Sequence, residues 1–133
     1  MKIIGLGNDL TDIRRIEKSI DRFDGRFMKR IFTDGEIAYA KSKGNKASNF
    51  AKRFAAKEAC SKALGTGFAQ GVFWKDMEVI NDELGKPSLK LSGGALNKLK
   101  SLTPDGMEAQ IDLSLTDEYP LAQAIVILTA VKC

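Results

Sequence analysis

Arg53-Phe-Ala-Ala-Lys-Glu-Ala-Cys-Ser-Lys-Ala-Leu-Gly-Thr-Gly67 is the stretch on which the reading of the chain turns. Phe50, Ala51, Phe54, Ala55, Ala59 and Ala63 recur at three- and four-residue spacings, the period of an amphipathic helix. The pattern predicts a long helix from about residue 48 to 64, with Gly65, Gly67 and Gly71 marking the exit from it. Glu58 falls four residues after Phe54, along the inward stripe, and Ser61 and Lys62 follow it at three and four residues. A carboxylate aimed partly inward needs a counter-charge, a metal or a substrate to offset its desolvation. An ordinary Glu58–Lys62 surface pair, worth about 0.2–0.5 kcal/mol, satisfies the same residues.

Working outward, residues 2–8 read as a short apolar strand whose glycines permit close backbone approach. Asp9 follows it directly, in a place suited to a turn or helix-start aspartate. Ile13, Ile16, Ile20, Phe23 and Phe27 mark one helical face across 12–27, with a break at Asp24-Gly25. Thr33-Asp-Gly-Glu36 has the form of a capping box, opening a helix that fades near Lys43-Gly44. Strands are expected at Met77–Asn81 and Ser88–Leu91, joined through a hairpin loop at Asp82–Pro87. A further helix is expected over 93–100, and strands over 110–115 and 121–131, with a turn at 116–120. Helices early and strands mostly late indicate an α+β fold, and 133 residues fit one domain spanning 1–133.

Composition removes several chemistries. The chain has no histidine, which excludes a Ser-His-Asp triad, a Cys-His pair and every histidine-based zinc site. Proton transfer must then use carboxylates, lysine, tyrosine or water. Cys60 and Cys133 form neither a metal-ligand spacing nor a disulfide framework, and Cys60 reads as a small apolar helix residue. No apolar run approaches the roughly 20 residues that span a bilayer, and no secretory signal opens the chain. A reduced, cytoplasmic protein without a membrane partner is the expectation. The formal charge of +4 suggests an anionic partner. It permits a noncatalytic nucleic-acid-binding domain, but no aromatic-rich strand motif or zinc-finger spacing accompanies the charge, so no nucleic-acid partner is expected. A noncatalytic subunit that keeps a fold for association is a third reading.

The central motif resembles that of the holo-(acyl-carrier-protein) synthases, within the 4′-phosphopantetheinyl transferase superfamily. Gly5-Leu-Gly-Asn-Asp-Leu10, Asn81-Asp-Glu-Leu-Gly-Lys-Pro87 and Ser114-Leu-Thr-Asp-Glu-Tyr119 agree with it in order and spacing, so the likeness covers nearly the whole chain. The resemblance implies an antiparallel sheet packed with a long central helix. It also implies transfer of 4′-phosphopantetheine from coenzyme A to a serine of acyl carrier protein. Asp9 and Glu58 map onto the two carboxylates that bind Mg²⁺ in that family, with coenzyme phosphates and water supplying the other ligands. Glu58, or a metal-bound water, is then the expected base, and Lys62 the cation that stabilises phosphoryl or leaving-group charge.

Arg53, Lys57 and Ser61 lie near one helical side, within reach of coenzyme phosphates, although a solvated basic face accounts for Lys57 as readily and for Arg53 less so. Gly65 resembles the family's turn after the helix, and Gly85, Lys86 and Pro87 resemble a second coenzyme loop; a helix stop and a tight hairpin are their plain alternatives. The resemblance places Gln110 where members often carry histidine and Leu115 where some do, and Gln110 retains a hydrogen-bond donor. The resemblance further implies that the first helix docks the acidic recognition helix of the carrier protein, through Arg15, Arg22 and Arg26 with Phe27 as an apolar contact. It implies a homotrimer with sites between subunits. Phe73 and Trp74 are expected to pack in the core, with an interface as the alternative.

Overall fold

The computed structural model describes residues 1–23 and 25–133. The chain runs β1 (Lys2–Asp12), α1 (Ile13–Arg22), α2 (Arg26–Ile31), α3 (Asp34–Lys41) and α4 (Lys46–Leu64). A single 3-10 turn (Trp74–Asp76) then leads to β2 (Met77–Asn81), β3 (Pro87–Leu91), α5 (Gly93–Leu102), β4 (Met107–Glu118) and β5 (Leu121–Lys132). Two antiparallel sheets result, one of order β1-β5-β4 and one pairing β2 with β3, giving the expected α+β architecture.

Local chemistry sets most of these boundaries. Thr33 and Glu36 form the reciprocal capping box at the start of α3. Asp12 caps α1, its side chain accepting from the backbone N–H of Arg14. The break expected within 12–27 separates α1 from α2, between Arg22 and Arg26; Asp24 itself lies outside the described residues. The first strand also runs on to Asp12, so Asp9 sits inside β1 and the capping role belongs to Asp12. The expected 116–120 turn shrinks to Tyr119-Pro120, because β4 pairs with β5 as far as Glu118 opposite Leu121.

The core explains why α4 lies so close to β1 and β5. Ala51, Ala55, Ala59 and Ala63 on the helix face Ala122, Ala124, Val126, Leu128 and Ala130 on β5, all buried. Small residues let the backbones approach. Gly5 and Gly7 complete the fit, since a Cβ on either would run into the carbonyl oxygen of Ala63 or Ala59. Met77, Val79, Leu89, Leu91 and Leu99 close the opposite side of this cluster. A second cluster joins Ile13, Ile16, Ile31, Phe32 and Phe50 beneath α1 to α3. Each fully buried Phe, Leu or Val contributes about 1.5–3 kcal/mol of transfer free energy. Cys60 is buried in the first cluster, as expected of a small apolar residue, and its thiol is pushed up to about 12 by burial.

The other face of the three-stranded sheet is left uncovered by the described residues. Leu6 and Leu10 alternate with Gly7 and Asp9 along β1 and are 65% and 60% exposed. Ile125 stands beside them on β5, opposite Asn8.

Candidate active site

Strand alternation and helical spacing bring three charged residues together at one edge of the β1–α4 contact. Asp9 shares the α4-facing side of β1 with Gly5 and Gly7, opposite Ala124. Glu58 and Lys62 lie one turn apart on α4. Lys62 Nζ reaches Asp9 Oδ1 at 3.2 Å and the carbonyl oxygen of Asn8 at 3.1 Å. The lysine therefore bridges to β1 in place of an ordinary pair with Glu58. Its side chain is about half exposed, so the contact with Asp9 is worth at most about 1 kcal/mol and yields readily to a stronger anion.

Glu58 is partly buried. Desolvation, and then the neighbouring charge of Asp9, raise its pKa above the ordinary carboxylate value, while Lys62 and Arg15 oppose the shift. Two carboxylates that repel one another, balanced by a half-exposed ammonium, form an oxygen donor set that fits a hard divalent cation. No cluster of three carboxylate, cysteine or histidine ligands exists among the described residues. A cation held here would draw its remaining ligands from water and an anionic substrate, as Mg²⁺ commonly does.

The other expected site residues fall into two further places. Arg53 is buried on the opposite side of α4, five residues and about 140° around the helix from Glu58. Its Nη2 donates to Asn81 Oδ1, its guanidinium lies 4.3 Å from the centroid of the Tyr39 ring, and its Nε has no partner among the described residues. Arg53, Tyr39, Glu78 and Asn81 line a cavity of about 180 Å³. The loop carrying Lys86, just before Pro87 opens β3, is reached through the same asparagine, whose Nδ2 donates to the carbonyl oxygen of Gly85. Gln110 stands apart again, exposed on β4 in register with Thr129, on the face turned away from α4. Within one chain it does not join Asp9 and Glu58.

Lys57 requires a correction. Its side chain is fully enclosed, and Nζ donates to Glu36 Oε1 at 2.6 Å, Ile31 O at 2.7 Å and Trp74 O at 3.2 Å. All three ammonium donors are committed inside the protein, which leaves none for a coenzyme phosphate. The solvated-face alternative fails as well, for Lys57 and Arg53 alike, because α3 and β2 cover this side of α4. The missed partner was Glu36, whose capping-box role gave no sign that its Oε1 and Oε2 also serve Lys57 and the N–H of Val79. Ser61 is also buried, its hydroxyl donating to the carbonyl oxygen of Glu58.

Gly65 ends α4 in the left-handed region (φ 81°), the conformation a C-terminal glycine supplies. Arg15, Arg22 and Arg26 are exposed on α1 and α2. Phe27 is half-buried against Phe54 and Phe32. Trp74 packs as expected, stacked on Phe68 and Phe54, whereas Phe73 is exposed because the 3-10 turn carries the two side chains to different sides.

Residues 5–124 match the family model of the 4′-phosphopantetheinyl transferase superfamily. The chain belongs to that superfamily. A holo-(acyl-carrier-protein) synthase of Parvibaculum lavamentivorans is 57% identical over 129 residues, covering 97% of each chain. Among solved structures, the holo-(acyl-carrier-protein) synthase of Neisseria meningitidis superposes with a TM-score of 0.82 at 34% identity, over 96% of this chain and 98% of that one. The Bacillus anthracis enzyme, solved in complex with CoA (3′,5′-ADP), superposes with a TM-score of 0.77 at 39% identity, over 96% and 97% of the two chains.

Proposed function

We propose that this chain is a transferase that moves 4′-phosphopantetheine from coenzyme A to a serine hydroxyl of acyl carrier protein. The serine oxygen forms a new bond to the phosphorus bearing the pantetheine arm. The bond from that phosphorus to the adenosine bisphosphate oxygen breaks, and adenosine 3′,5′-bisphosphate leaves. The observation that carries this reading is the convergence of Asp9, Glu58 and Lys62 at one edge of β1 and α4.

Asp9 and Glu58 are the residues that would hold Mg²⁺. When bound, the ion supplies neutralising charge to the coenzyme pyrophosphate and to the leaving bisphosphate. Lys62, loosely held on Asp9, turns to the phosphoryl oxygens and stabilises charge that builds there. Glu58, or a water held by the ion, would accept the serine proton. Arg53, Gly65, Lys86, Pro87 and Gln110 are the proposed coenzyme contacts. Arg53 brings a buried Nε that has no partner among the described residues.

Arg53 and Gln110 face away from Asp9 in the single chain, which supports sites shared between copies. The uncovered Leu6, Leu10 and Ile125 support a homo-oligomer, and the family resemblance favours a trimer. The exposed arginines of α1 and α2 suit the acidic helix of a carrier protein. Cys60 and Cys133 are both free, which suits a reducing, cytoplasmic setting in fatty acid biosynthesis. Among the described residues no helix is long and apolar enough to cross a membrane.

Incubation of the full chain with coenzyme A, Mg²⁺ and purified apo carrier protein tests the reading by intact mass. The account expects one phosphopantetheine added per carrier serine and no addition in chelator. An unmodified carrier under both conditions would favour the noncatalytic alternatives.

A further inference from the structure

We propose that Thr11 is a positioning residue for the Asp9 carboxylate, fixing the direction in which it presents an oxygen to a divalent cation. The proposal rests on the reading of Asp9 as a cation ligand. Thr11 and Asp9 are two residues apart on β1, so their side chains share the α4-facing side. Thr11 Oγ1 donates to Asp9 Oδ2 at 2.6 Å, a short bond of the charge-assisted kind. Thr11 is only 4% exposed, so water does not readily replace its hydroxyl. Its neighbours on β5 are Ala122 opposite Thr11 and Ala124 opposite Asp9, both fully buried and too small to restrain the carboxylate themselves.

The two oxygens of Asp9 are held very differently. Oδ1 meets Lys62, whose half-exposed side chain is free to leave. Oδ2 meets Thr11, whose backbone is locked just beyond the strand. There Ile13 N–H donates to Pro120 O at 2.8 Å, and the Asp12 side chain accepts from Arg14 N–H at 2.9 Å. When Lys62 turns toward phosphate, the Thr11 hydroxyl remains as the protein group that sets the carboxylate's rotation. Hydrogen-bond partners of metal ligands commonly account for about 10–100-fold in metal affinity.

Thr11→Val and Thr11→Ser separate this role from packing. Valine keeps the shape and loses the donor, while serine keeps the donor and loses a methyl group. A packing role would leave valine harmless and make serine the damaging change. The assay is a Mn²⁺ titration of the folded protein with coenzyme A and no carrier, following the free-ion electron paramagnetic resonance signal and subtracting a coenzyme blank. Thr11→Val is expected to bind Mn²⁺ about 10–100-fold more weakly, with Thr11→Ser close to the unsubstituted protein. Should Thr11→Val fail to fold, Thr11→Ala against Thr11→Ser carries the same contrast. Equal affinity for the valine variant, or equal loss in the serine variant, would overturn the role of Thr11 and leave the Asp9 site standing. Absence of protein-dependent Mn²⁺ uptake by the unsubstituted chain would instead overturn the cation site itself.

Discussion

Lys57 Nζ stands 2.6 Å from Glu36 Oε1 with both side chains closed off from solvent, tying the middle of α4 to the first turn of α3. The pair also gathers the end of α2 through Ile31 O, the 3-10 turn through Trp74 O and β2 through Val79 N–H. The end of α2, the first turn of α3, β2 and the 3-10 turn are thereby joined to the middle of α4 at one charge pair.

Lys57→Met should destabilise the fold by about 3–5 kcal/mol, because it strands the Glu36 carboxylate in the interior. The double variant Lys57→Met with Glu36→Leu removes both charges and should recover much of that loss. Denaturant midpoints of the three proteins measure the coupling. Additive losses in the double variant would show that the two side chains do not act as a pair.

Carrier docking should depend on charge along α1. Arg22→Glu is the cleaner probe, because Arg15 also acts electrostatically on Glu58 and its reversal would disturb the site. The Arg22 reversal should chiefly slow association, and added salt should weaken binding by the unsubstituted protein. Stopped-flow association rates across a salt series check this. Rates insensitive to both would remove α1 as the docking surface.

Lys62 discriminates between a cationic and a basic role. Lys62→Ala should lose transfer activity, whereas Lys62→Arg should keep a measurable fraction, since arginine preserves the charge but does not deprotonate. Single-turnover rates, with folding and Mn²⁺ affinity measured alongside, make the comparison. A folded, metal-competent Lys62→Arg protein with no activity would point to lysine as the base.

Much of the fold was legible because it rests on local signals. The alanine-phenylalanine period of α4, the Thr33–Glu36 capping box and the alternation of Ile111, Leu113 and Leu115 each act over a few residues. The misread features depend on distant partners. Asp9 reads as a turn residue until β5 supplies Ala124 opposite it and extends the strand to Asp12. Lys57 reads as a phosphate contact because helical spacing does not show that Glu36, 21 residues earlier, closes over it. Glu58 and Lys62 were legible as neighbours, but the turn of Lys62 toward β1 required the glycines that seat α4 against the strand.

The central claim is that Asp9 and Glu58 together carry the transfer. The most direct test is the rate of phosphopantetheine addition to carrier protein, followed by intact mass for Asp9→Ala, Glu58→Ala and the unsubstituted enzyme at limiting Mg²⁺. Each substitution removes a negative oxygen donor at a site whose substrate is itself multiply anionic, so the loss falls on placement of charge at the transition state. Both variants are expected to remain folded and to lose nearly all turnover. Near-normal rates from both folded variants would contradict the account.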